Sequence, residues 1–185
     1  MKYEKTKKIV LSAMFVALGI VLPFFTGQLH GLGKVLLPMH IPVFLCGLIC
    51  GWQYGGIVGF ILPLLRAFMF SMPKLYPEAI GMAFELATYG AVSGVLYREK
   101  NDMAWLYISI MTAMIAGRVV WGILKAILLG VWGEVFTFEM FVGTAILEAI
   151  PGILLQLVLI PAIISGLEFS RNKKEKTNEK VFIQK

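Results

Sequence analysis

The sequence predicts an all-α integral membrane protein with six transmembrane helices, and three observations carry that prediction. Hydrophobic residues fill 58% of the 185 positions and the mean hydropathy is +0.81, above the roughly 45–50% apolar usage of soluble domains. Six apolar runs are separated by breaks of Gly, Pro and charge. The 17 basic residues outnumber the 11 acidic ones, for a net charge of +6, and most of them gather at the two ends and one internal break. That distribution reads as membrane topology rather than as a nucleic-acid footprint.

The runs cover residues 9–26, 39–51, 54–70, 78–97, 103–131 and 139–168. The first follows Lys2, Lys5, Lys7 and Lys8 in the order of a secretory signal. It is too long for one and no A-x-A-like site follows, so an uncleaved first helix is expected. The second is only 13 residues, short of the roughly 20 that cross a bilayer upright, and "GWQYGG" joins it to the third. The two could form a re-entrant hairpin, or the second could begin at Leu36 with Pro38 and Pro42 in its first turns. The fourth ends at Arg98 and Lys100, and the sixth runs into "SRNKKEKTNEK". Residues 1–170 are expected as one transmembrane domain, and 171–185 as a polar, basic, irregular cytoplasmic tail that anchors electrostatically.

Six crossings put both termini on one side, and the three basic clusters fall on that same side, which makes the termini cytoplasmic. The outer connections then contain "GQLHGLGKVLLP", "SMPKLYP" and "WGEVFTF", with Lys34 and Lys74 as their cations. Trp132, Tyr76 and Phe136 suit the outer headgroup layer, Trp105 and Tyr97 the inner one. Cys46 and Cys50 read as small core hydrophobes, remote in sequence from His30 and His40, so no metal or cofactor is expected.

Ionisable residues inside spans cost roughly 2.5–3.5 kcal/mol each at a helix centre, so each is a functional candidate. They are Arg66, Glu85, Arg118, Lys125 and Glu148, with His40 near a helix end. At about 1.5 Å per residue their depths from the outer surface come to about 6 Å for Arg66, about 10 Å for Lys125 and Glu85, about 14 Å for Glu148 and about 20 Å for Arg118. A polar cavity open to the outside explains why the inner third has none. On a purely structural reading Glu85 pairs with Lys125 and Glu148 with Arg118, locking the last three helices together. On the functional reading these residues also bind substrate. Thr88 and Tyr89 share a face with Glu85, and Trp121 and Gly122 lie between Arg118 and Lys125, an aromatic ring and a gap that suit a ligand body. Gln28, His30 and Lys34 lie in "TGQLHGLGK", where three glycines allow either a gate over the cavity or an ordinary flexible loop.

These residues resemble the S components, the substrate-binding subunits of energy-coupling factor (ECF) vitamin transporters. The resemblance covers nearly the whole chain in size, helix number, inward termini and basic N-terminus. It includes the A-x-x-x-A of "SAMFVALG" (Ala13 and Ala17) and, more specifically, "HIPVFLCGLICGWQYGGIVGFILPLLRAF". Small residues at i and i+4 admit a close helix, and the resemblance implies that Ala13 and Ala17 dock on a transmembrane T subunit. It further implies capture of a vitamin or precursor from outside a bacterial cell and inward release by tilting, driven by two ATPases coupled through that subunit. Three cations against two buried acids favour a ligand with one carboxylate or phosphate, such as pantothenate or niacin. "LLPMHIPV" looks like the pantothenate type, while pyridoxine, thiamine-precursor and queuosine-precursor carriers stay open.

Other classes fit less well. "GLGKV" is no phosphate loop, because Gln28 stands where the first Gly is needed and Val35 replaces the Ser or Thr that would hold magnesium. "GAVSG" misplaces the Gly of an intramembrane serine protease by one residue, and neither His lies deep. A stand-alone secondary transporter of a small anionic metabolite remains the alternative, although no repeat relates the two halves.

Overall fold

The computed structural model describes residues 2–27, 37–99, 102–131, 137–144 and 149–183. Among them the architecture is helical throughout. The helices are α1 (Lys2–Gly27), α2 (His40–Cys50), α3 (Trp52–Phe70), α4 (Ile80–Glu99), α5 (Met103–Val131), α6 (Phe138–Val142) and α7 (Ile150–Ile183), with a π-helical turn at Leu75–Ala79 leading into α4. Five are long and apolar enough to cross a membrane: Tyr3–Phe24, Trp52–Phe70, Leu75–Arg98, Met103–Val131 and Ile150–Leu167.

The short second run becomes α2, which begins at His40 with Pro42 in its first turn, where a missing N–H costs nothing. Its length is explained by its place in the bundle. Nine of its residues, from His40 to Gly47 and Cys50, are buried, and it packs against α1, α3, α4 and α7. A single residue, Gly51 at φ 104°, turns the chain from α2 into α3. That left-handed conformation suits glycine, and α3 therefore starts at Trp52, two residues before the expected 54.

Close helix approach is built on glycine. A Cβ on Gly90 of α4 would lie 2.3 Å from the Gly55 carbonyl of α3, so the two backbones touch where side chains would hold them apart. Around this seam lies the core, with Val43, Phe44, Leu62, Leu86, Leu106 and Ile110 fully buried. Outward positions such as Ile57, Ile115, Val119, Ile123 and Ile127 are apolar and exposed, the inverse of a water-soluble surface and the pattern expected of a face solvated by lipid.

Two expectations are corrected. The run 139–168 is not one helix: Thr137 caps α6 through Met140 N at 3.3 Å, and a new helix opens at Ile150 with Pro151 in its first turn. Proline lacks the N–H needed inside a continuous helix and is favoured at the start of one. The basic tail is not irregular either, because α7 continues to Ile183. "NKKEKTNEK" is rich in Lys and Glu, which have high helix propensity, and a preformed helix supplies the costly nucleus.

Candidate functional site

A cavity of about 1060 Å³ opens at the end of the bundle opposite Lys8 and Arg98. Pro23 of α1, His40 of α2, Arg66 of α3, Tyr76 and Glu78 of the π-turn, and Leu129 of α5 line it, together with Lys74, Met82 and Thr144. α1 to α5 each contribute residues from the end at which the cavity lies.

Arg66 is held from three sides. Its Nη1 donates to the Ile20 carbonyl at 2.8 Å, and its guanidinium lies 5.5 Å from the Phe24 ring and 5.7 Å from that of Phe70. These two rings meet edge to face at 4.9 Å. Cation–π contacts of this kind gain strength where water is excluded. No carboxylate pairs with Arg66 among the described residues.

Below the cavity, Arg118 Nη1 lies 3.1 Å from Glu85 Oε1, and the same oxygen accepts the Tyr89 hydroxyl at 2.7 Å. The Tyr89 ring stacks on Phe44 at 5.1 Å and tilts against His40 at 5.4 Å. Gly117 makes room for it, since a Cβ there would fall 2.2 Å from Tyr89 Cε1. Nearer the rim, Lys125 Nζ pairs with Glu78 Oε1, and lies 5.9 Å from the Trp121 ring. Tyr76 donates to the Leu128 carbonyl, so the π-turn is tied to α5 twice.

The expected pairing of Glu85 with Lys125 is thus replaced by Glu85 with Arg118 and Glu78 with Lys125. The depth estimate failed because the fourth span begins at Leu75, not 78. Glu85 is ten residues in, about 15 Å, and α5, about 44 Å long, overreaches a bilayer core of about 30 Å. Glu78 is the residue the sequence reading passed over, as the first position of its span. Of the other candidates, Trp121 is buried, packing between Gly81 and Phe141, and Thr88 turns its hydroxyl to the Phe84 carbonyl of its own helix at 2.8 Å, apart from the cavity. Ala13 and Ala17 lie exposed on α1. Gln28, His30, Lys34, Trp132, Phe136 and Glu148 lie outside the described residues. Among those described, no cluster of His, Cys, Asp or Glu could hold a metal.

Membrane-length helices around a cavity whose charges face inward define a multi-pass membrane protein of transport type. The chain belongs to the substrate-specific components of ECF transporters, whose family model matches residues 7–167. A search of curated proteins gave no match. The family is one of transporter substrate-binding components, not of enzymes.

Proposed function

We propose that the protein captures a small vitamin or vitamin precursor, pantothenate first among candidates, from outside a bacterial cell and releases it inside when coupled to a T subunit and two ATPases. In this reading α2 completes six crossings and both termini are cytoplasmic, as the basic residues near them favour. The observation that carries the proposal is the cavity itself. At about 1060 Å³ it suits a small ligand with some water, it lies at the end away from the basic termini, and it contains Arg66, a buried cation with no carboxylate among the described residues.

His40 and Arg66 touch the ligand, Lys125 acts at the rim through Glu78, and Glu85, Tyr89, Arg118 and Trp121 hold the helices in place around them. Ala13 and Ala17 form the docking face for the T subunit. Expressed with a T subunit and ATPases, the protein is expected to co-purify with them and to support uptake that stops when the ATPases lose their catalytic glutamates. Uptake that persists without them, driven by a proton or sodium gradient, would instead identify a secondary transporter.

A further inference from the structure

The ion pair at the rim is lopsided. Lys125 is the covered half, its side chain 13% exposed, with Nζ held by Glu78 Oε1 and 5.9 Å from the Trp121 ring. Glu78 is the open half, its side chain 44% exposed, and it lines the cavity. A carboxylate has about four lone-pair positions, and the contact with Lys125 occupies one of them. The turn that carries Glu78 is itself fixed, because Tyr76 donates to the carbonyl of Leu128, close to Lys125 on α5. Glu78 therefore presents an oriented acceptor to the cavity rather than a swinging surface acid.

The other charged lining residues differ in kind. Arg66 and Lys74 carry donors alone, and Thr144 turns its hydroxyl to the Met140 carbonyl at 2.8 Å. Among the described residues Glu78 is the only acid in the wall, and the group it suits is a hydrogen-bond donor. Pro77, Met82 and Leu129 make the same wall partly apolar, and in such surroundings a hydrogen bond to a charged oxygen counts for more than in water. A neutral hydroxyl or amide gains a charge-assisted bond there. An ammonium gains the same bond but brings a second cation to a carboxylate that Lys125 already neutralises, in a wall that also holds Lys74.

Building on the substrate-binding reading above, we propose that Glu78, buttressed by Lys125, touches the substrate and accepts a hydrogen bond from a neutral hydroxyl or amide on it. Glu78 thereby selects against analogues that lack this donor or carry an ammonium in its place. Lys125 is a positioning residue: it holds the carboxylate and does not itself meet the ligand.

The test uses the full-length protein in lipid nanodiscs. Small molecules retained through purification are identified and quantified by mass spectrometry. Two probe sets are titrated calorimetrically: pantothenate with its two monodeoxy forms, and pyridoxine with 4-deoxypyridoxine and pyridoxamine. The variants are Glu78→Gln, Glu78→Leu, Lys125→Met, and Glu78→Leu combined with Lys125→Met. In the set that binds, loss of one hydroxyl is expected to weaken binding to the unmodified protein at least about tenfold, and an ammonium in its place to restore little of that. With Glu78→Leu the same loss is expected to cost less than about twofold, with Glu78→Gln in between. Retained ligand is expected to fall at least about tenfold in Glu78→Leu and in the double variant, but to persist in Lys125→Met. The double variant strands no charge, so its melting temperature is expected to stay close to that of the unmodified protein, which separates lost contact from lost fold. A pair that only holds the helices predicts equal losses in Glu78→Leu and Lys125→Met and recovery in the double variant, and that pattern would overturn the assignment. So would a retained molecule without an N–H or O–H donor, or a hydroxyl whose loss costs as much with Glu78→Leu as without it. Each of these results leaves substrate binding standing. Neither a retained molecule nor binding of any probe would overturn both.

Discussion

A single oxygen, Glu85 Oε1, joins two helices. It accepts from Tyr89 on its own helix and faces Arg118 across the gap to α5, and with the carboxylate 2% exposed no solvent stands ready to replace either partner. Removing one member of such a pair leaves an uncompensated buried charge, at a cost on the order of 3–5 kcal/mol, whereas removing both with apolar or neutral groups can be close to neutral. Arg118→Met is therefore expected to lower the thermal unfolding temperature sharply in detergent, and adding Glu85→Gln to recover most of the loss. An unchanged melting temperature for Arg118→Met alone would mean that the pair holds nothing together. The two arginines are held differently: Arg118 is engaged by Glu85, while Arg66 rests on the Ile20 carbonyl and two aromatic rings.

At the scale of elements, the two ion pairs share a rule. Glu78 and Glu85 are seven residues apart, as are Lys125 and Arg118, and each ion pair is equidistant in sequence from the junction between α4 and α5. Residues equidistant from the turn of an antiparallel helical hairpin face each other, so this pairing was present in the sequence. It was obscured because Glu78 looked like a boundary residue and depth was counted from an assumed membrane edge. The membrane class, the main helices and the buried cations were legible, since apolar runs and isolated charges are written directly in composition. The break before Pro151, the burial of α2 and the meeting of Arg66 with Phe24 and Phe70 depend on packing between distant segments, which no local pattern records. On α1 the exposed Ala13 and Ala17 leave a shallow strip beside Met14 and Leu18 that a partner helix could approach closely. Ala13→Trp is expected to leave ligand binding intact and to abolish co-purification with the T subunit; an intact complex would remove that face from the interface.

The whole molecule is polarised. The cavity and Lys74 lie at one end, and Lys8, Arg98 and the α7 extension at the other. At about 1.5 Å per residue, the 34 residues of α7 span about 51 Å, leaving about 20 Å beyond a bilayer core. In intact cells a membrane-impermeant maleimide is expected to label Lys74→Cys and to spare Arg98→Cys, with little background from Cys46 and Cys50, which are buried. Labelling of Arg98→Cys alone would invert the topology. The paired charges of α4 and α5 also act as a vernier. Sliding one helix by seven residues would match just one acid with one base and strand the other two, and smaller slips would match none. Two ion pairs at two levels thus resist any sliding of α4 against α5.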